Sequence, residues 1–542
     1  MLDVSDVVGR LGWYHAVLGA VTVLRAFPTA WTLLVVPFIV PPVEHWCAMP
    51  SLPSLQNWTQ ERWRSSALPV VRNGSDEQSV VLDGCNVHPL LDAESAVFDE
   101  DNTVKCDSWT YNETVPGASA VPEWDLVCSN DWQRSLMQSV VFLGSLVGAL
   151  IIGRLSDRQH ALGSFPGCCR FGRRFMFFTA TFVYIVFGCS AAASPSASWY
   201  NSLRFFASVC IAGIQTTAAA LCKFRRQMRK VVMNVYFQIG QETPAASYRE
   251  CVVNKKSQGV LWTSVQYPGF SVSPFCLQTR SVVQESPRWL VATRREKQAQ
   301  KAIEKILRFN GRPVPDMRST MSMLAEKSEK DVQLTSHGPA EILRHKRLLR
   351  NAICLFIIWF CDNFFMYATT LSSVDLGGSA FVNFALSAAA EIPAGLLSFP
   401  VVRYCRRKRA QAAMLLLAGL AAILTSVLPL DSLWMRLGLN MTCRFILVIS
   451  AAVKWVYSME VFPTAVRGFG FSACFTVGRI GGMVAPFMRD LGIHTHFSVP
   501  TLVMGAAGVT GATAACFLPE TLGADLPDTF EEADKLGSKM HE

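Results

Sequence analysis

Ten stretches of the chain are apolar over close to the twenty residues that a helix needs to cross a bilayer. They fall near 17–40, 136–153, 175–194, 199–222, 351–372, 379–400, 411–429, 433–458, 469–488 and 498–518. Helices of a water-soluble core keep one polar face, so a series of this kind excludes a soluble fold. The expected class is an all-α polytopic membrane protein. Composition agrees: 51% of the 542 residues are hydrophobic and only 17% are charged, against about 25% in soluble domains.

Charge placement orients the spans. Residues 42–131 carry fifteen Asp/Glu and four Lys/Arg, whereas 291–350 carry fourteen Lys/Arg and seven acids. A further basic run holds Arg403, Arg406, Arg407, Lys408 and Arg409. The positive-inside rule therefore puts 154–174, 291–350 and 403–409 in the cytosol and 42–131 outside. Membrane flanks account for the net charge of +9, so the bilayer, and not nucleic acid, is the expected partner. The outer loop contains Cys47, Cys85, Cys106 and Cys128, an even number in an oxidising space, and two disulfides are expected with their pairing open. Three glycosylation sequons, at Asn57, Asn73 and Asn112, lie in the same loop. The first apolar run ends in Pro41-Pro42 and a polar loop without a small-residue cleavage pattern, which reads as a retained span.

The chain divides into an N-terminal bundle (1–222, carrying the loop 42–131), a polar segment (223–284), a cytosolic linker (285–350), a C-terminal bundle (351–518) and a cytosolic tail (519–542). Two bundles joined by a long cytosolic loop is a layout of carriers built from parallel halves. In the linker, Ala302, Ile303, Ile306 and Leu307 share one face of a predicted helix over 298–310. The plain reading is an amphipathic helix on the inner membrane surface; the alternative is a helix that binds a partner protein. No nucleotide-binding GxxxxGK[ST] loop, HExxH pair or nucleophile elbow is present. An ATP-driven pump and an enzyme are both disfavoured, and no metal or cofactor is expected.

Gly153-Arg154-Leu155-Ser156-Asp157-Arg158 follows the second run, and Phe171-Gly172-Arg173-Arg174 precedes the third. Joined, they resemble the signature loop of the major facilitator superfamily. Cys106 to Tyr111 (CDSWTY), Glu123 to Cys128 (EWDLVC), Glu285 to Leu290 (ESPRWL), Glu391-Ile392-Pro393, Tyr457 to Arg467 (YSMEVFPTAVR) and Leu518 to Thr521 (LPET) narrow the likeness. Together, and in the family's own order along the chain, they resemble the family of animal organic cation, organic anion and carnitine transporters. The resemblance implies a two-bundle fold of twelve spans and alternating access. It also implies a gating motif of Gly153, Asp157, Arg158, Gly172, Arg173 and Arg174, with Glu460 and Arg467 in an inter-helix latch.

Two stretches depart from that pattern. Residues 159–170 interrupt the signature loop, and 223–284 contain no apolar run where the family has its fifth and sixth spans. The second stretch reads either as an altered coding segment flanked by family sequence or as a divergent protein with ten spans.

A charge at mid-bilayer costs at least about 2.5–3.5 kcal/mol on insertion scales, so each buried charge needs a reason. Arg204, Glu391 and Arg444 read as mutual pairs or snorkelling groups. Arg479 and Lys454 are the sharper binding candidates. The family resemblance implies an acid at the Arg479 position in cation carriers and an arginine in anion and carnitine carriers, while a guanidinium offers a carboxylate two parallel hydrogen bonds. Lys454 adds a second cation and Asp362 is a further binding candidate, the competing role of the two being a salt bridge to each other. Phe364, Tyr367 and Phe475 are candidate cavity walls. The expected function is secondary or facilitated transport of a small organic ion, anionic or zwitterionic, across the plasma membrane, with a counter-ion or exchange substrate as a further partner. The alternatives are a non-transporting relative lacking two spans and an organic cation carrier.

Overall fold

The structure is a computed structural model. It describes Trp13, Tyr14 and Thr32, and then, apart from short gaps, residues 35–157, 173–221, 287–324 and 339–534. The insertion 159–170, the polar segment 223–284 and most of the first apolar run lie outside the described residues.

Every apolar run from residue 136 onward falls on a helix. These are α1 (Trp132–Asp157), α2 (Arg173–Ala192), α3 (Ala197–Leu221), then α5 (Lys346–Ser372), α6 (Ala380–Tyr404), α7 (Arg407–Val427), α8 (Leu433–Val461), α9 (Arg467–Val484) and α11 (Ser498–Cys516). The linker supplies α4 (Glu296–Phe309), and α10 (Phe487–His494) follows α9. Among the described residues, seven helices are long and apolar enough to cross a membrane. The helices exceed the apolar runs because polar ends extend past the hydrocarbon; α5, for example, begins at Lys346 rather than 351.

Lipid tails are as apolar as the helices, so contact between spans depends on close backbone approach and buried hydrogen bonds. Gly144 and Gly148 form a GxxxG pair on α1. A Cβ on Gly148 would stand 2.2 Å from the Val209 carbonyl oxygen of α3, and one on Gly144 would stand 2.5 Å from that of Phe205. In the C-terminal half Gly419 of α7 meets the backbone of Gly505 and Gly508 on α11.

Two helix starts borrow caps from the segment that follows α11. His345 provides α5 with no side-chain cap; Asp534 Oδ1 instead accepts from the backbone N–H groups of Arg347 and Leu348, each at 3.1 Å. Arg406 likewise gives α7 none, and Glu520 Oε1 accepts from the Arg407 N–H at 2.8 Å. Each carboxylate meets the positive end of a helix dipole.

The linker helix corrects the membrane-surface reading. Its apolar face, Ala299, Ala302, Ile303, Ile306 and Leu307, is buried with Phe177 and Phe178 of α2, with Leu290 and Val291, and with Met317, Met321 and Leu324. The face covers protein rather than lipid, because the flanking linker segments supply enough apolar side chains to close over it.

Val36–Ser135 forms a separate compact unit. Its strands make antiparallel pairs, His45–Cys47 with Trp109–Tyr111 and Val70–Arg72 with Val80–Leu82 among them. Trp46, Leu55, Trp63, Ala67 and Leu68 form a small core. The structure joins Cys47 to Cys106 and Cys85 to Cys128. His45 lies beside the second bridge, but the disulfide occupies both sulfurs that a metal would use. Glu44 accepts from Asn112 Nδ2 at 2.8 Å and from Arg64 at 2.6 Å. These bonds, that of Asn112 first, hold its carboxyl below the usual carboxylate range.

Candidate functional site

Among the described residues, the buried charges of the C-terminal half divide into neutralised pairs and one group left open. On α8, Arg444 forms an ion pair with Glu391 of α6 and donates from Nη1 to the Met366 carbonyl of α5 at 3.1 Å. Two turns or more along the same helix, Lys454 forms an ion pair with Asp362 of α5. Ser450 Oγ donates to the other Asp362 oxygen at 2.6 Å, and Gln411 Nε2 of α7 donates to Ser450 at 2.8 Å. Lys454 also lies 4.6 Å from the ring centre of Trp359, whose indole N–H bonds Ser458 at 2.8 Å. Asp362 and Lys454 are 0% and 1% exposed, so this network is sealed and internally balanced. Three helices are thereby tied through one carboxylate.

Arg479 of α9 is different. It is 6% exposed, yet its Nε and Nη1 have no hydrogen-bond partner among the described residues. Nη2 donates to Gln215 Oε1 of α3 at 3.1 Å, and the guanidinium carbon stands 4.7 Å from the centre of the Phe475 ring. No carboxylate pairs with it among the described residues. Phe475 continues into an aromatic wall with buried Trp359 and half-buried Trp455 and Phe471, at ring separations of 4.9–6.1 Å. The arrangement offers an organic anion a charged fork beside flat apolar surfaces.

The remaining candidates sit elsewhere. Tyr367 of α5 packs edge-on against Phe142 of α1, with ring centres 4.6 Å apart. Phe142 in turn presses on Gly482, and Ser139 donates to the Met483 carbonyl at 2.8 Å, so α1 is fastened to α9 near these residues. Phe364 stacks on Phe360 at 6.3 Å and is buried where α5 meets Gly481. Arg204 donates to the Thr32 carbonyl at 2.6 Å, a structural use of its charge.

Glu460 lies at the end of α8 and Arg467 at the start of α9. Glu460 Oε2 accepts from Arg407 Nε at 3.2 Å and from Thr521 Oγ1 at 2.8 Å. Arg467 donates to the carbonyls of Phe462 and Pro527 at 3.1 and 3.3 Å. Gly153 and Asp157 lie at the end of α1, and Arg173 and Arg174 at the start of α2; their side chains are outside the described residues, as are Arg158 and Gly172 entirely. Of the sequons, Asn112 is described and Asn57 and Asn73 are not.

Gln215, Gln411, Ser450, Glu520 and Asp534 have structural parts that the sequence reading did not assign. Gln215 leaves one signal, an amide in the interior of the apolar run 199–222.

Among the described residues, a bundle of apolar helices with balanced buried ion pairs and one guanidinium held only by an amide is an arrangement that fits a solute carrier. Residues 97–534 match the family described as "Sugar (and other) transporter", and the chain belongs to that family. It is similar to organic anion transporter 3 of Sus scrofa (29% identical, 93% of this chain and 88% of that one covered). It is also similar to organic cation/carnitine transporter 2 of Homo sapiens (25% identical, 99% and 95% covered). The fold is shared with the major facilitator superfamily proton:xylose symporter XylE, at a TM-score of 0.62 and 14% identity, over 97% of this chain and 99% of that one.

Proposed function

We propose that the chain carries small organic anions or zwitterions across the plasma membrane by alternating access, as a secondary carrier or facilitator, with a counter-ion or exchange substrate moving in turn. The single observation behind the charge preference is Arg479: among the described residues, the other buried cations of the C-terminal half have resident acids, and this one has only an amide. A buried guanidinium with open donors favours an incoming carboxylate or sulfate, since burial removes the water that would otherwise satisfy it. The relatives named as organic anion and cation/carnitine transporters support the substrate class.

Charge reversal tests the reading. In cells expressing the chain, Arg479→Asp abolishes uptake of an aromatic carboxylate such as benzoate while surface abundance is kept. Undiminished uptake by that variant would remove the anion reading, and a gain of organic cation uptake by the unaltered chain would favour a cation carrier.

A further inference from the structure

The two bridges of the Val36–Ser135 unit stand in different surroundings. Cys47 is 2% exposed and lies in the small core beside Trp63, whose indole N–H donates to the Cys47 carbonyl at 2.9 Å. Cys85 and Cys128 are half-buried, as is His45, whose imidazole reaches both of their sulfurs. Its Nε2 is 3.5 Å from Cys128 Sγ and 4.0 Å from Cys85 Sγ.

The imidazole is held in place. His45 pairs across the strands with Tyr111, the ring centres 6.4 Å apart. A Cβ on Gly84 would stand 2.5 Å from the His45 carbonyl oxygen, so the turn that carries Cys85 lies directly on this strand. His45 Nδ1 is 3.1 Å from the Val43 carbonyl oxygen. A carbonyl can only accept, so Nδ1 carries a hydrogen and Nε2, facing the sulfurs, is the nitrogen that gains and loses a proton. The neighbouring acids are engaged elsewhere. Asp83 accepts from the Cys85 N–H and from Asn86, Asp125 from Tyr111, and Glu44 from Asn112 and Arg64.

We propose that Cys85–Cys128 is a thiol-exchange site, opened by small thiols such as glutathione with His45 as the proton donor, while Cys47–Cys106 is a fixed bridge. This site is independent of Arg479 and of what the chain carries. A thiolate attacks Cys85 Sγ and forms a new S–S bond with it. The Cys85–Cys128 bond breaks, its electron pair goes to Cys128 Sγ, and that sulfur takes the proton from Nε2 of the His45 imidazolium. The imidazole recovers from solvent the proton that the incoming thiol gave up. A second thiolate attacks the glutathione sulfur of the mixed disulfide, releasing oxidised glutathione and leaving Cys85 to take a proton from solvent. Two thiols are oxidised and one bridge is reduced.

Cys128 is the leaving sulfur because it is the one nearer Nε2. An imidazolium alongside lowers the pKa of its thiol, and a thiol of lower pKa leaves faster. Cys128 also has a left-handed backbone, φ 54°, which residues with a side chain rarely adopt and which the opened bridge no longer enforces. It begins the short turn Cys128–Asn130 that leads into α1. Opening the bridge therefore unties the entry to that helix from the turn at Gly84.

The test is a timed exposure of the purified, oxidised full-length chain to glutathione, quenched with N-ethylmaleimide and read by peptide mass spectrometry. The expected product carries glutathione on Cys85 and maleimide on Cys128, and forms about tenfold or more faster than any opening of Cys47–Cys106. In His45→Gln, shown by non-reducing mapping to keep both bridges, the same product forms about tenfold or more slowly. Should that variant fail to form its bridges, the position of the glutathione in the unaltered chain decides. Glutathione mainly on Cys128, equal opening of the two bridges, or an unchanged rate in His45→Gln overturns the proposal. Resistance of both bridges to millimolar glutathione overturns it as well.

Discussion

Asp362 and Lys454 show how a buried charge acquires a reason. Burying either alone in a sealed interior would be costly, and each receives more than the other's charge: Asp362 also accepts from Ser450, and Lys454 faces the Trp359 ring. Removing one partner strands the other, at a cost of about 3–5 kcal/mol, whereas replacing both by apolar residues of similar size is close to neutral. Asp362→Leu and Lys454→Leu should therefore each lower the thermal midpoint of the purified protein in detergent, and the double variant should recover most of the loss. Additive losses in the double variant would show that the two side chains are not coupled. The pair was legible in the sequence as one of two readings of Lys454, because an acid and a base in neighbouring apolar runs invite pairing. Gln215 was not, because an uncharged amide in an apolar run carries no comparable insertion penalty and so gives no reason to look for its partner.

The helix starts at Lys346 and Arg407 depend on residues far along the chain. Their own capping positions, His345 and Arg406, provide no side-chain acceptor, and the acids that replace them come from the tail. Asp534→Ala should destabilise the start of α5 by about 0.5–2 kcal/mol, the range for losing an N-cap. It would be read as faster amide exchange confined to residues around 346–350; unchanged exchange there would mean that water replaces the cap. Such pairings are invisible to local pattern, which finds helices from runs of apolar residues but not distant caps. The linker helix makes the same point differently. Its period was readable, with Ala302, Ile303, Ile306 and Leu307 on one side, but whether that side meets lipid or protein depended on Phe177 and Phe178, over a hundred residues away.

At the scale of the whole molecule, apolar run length placed the helices from residue 136 onward, since it follows directly from the solvent that a bilayer provides. The disulfide pairing of Val36–Ser135 was not readable, because four cysteines allow three connectivities and only the folded backbone chooses among them. The structure chooses Cys47 with Cys106 and Cys85 with Cys128, bridges enclosing separations of 59 and 43 residues. Non-reducing peptide mapping should recover these two pairs, and replacing Cys47 with Ser should cost that unit about 2–5 kcal/mol and lower the amount of protein reaching the cell surface. Recovery of any other pairing would contradict the fold of the unit.

The account turns on an anion meeting Arg479 inside a carrier, and counterflow tests it most directly. Purified full-length chain is reconstituted into liposomes preloaded with unlabelled benzoate and diluted into a trace of labelled benzoate. The account predicts transient accumulation of label above equilibrium by the unaltered chain and none by Arg479→Asp. No counterflow by the unaltered chain, or equal counterflow by the variant, would contradict it.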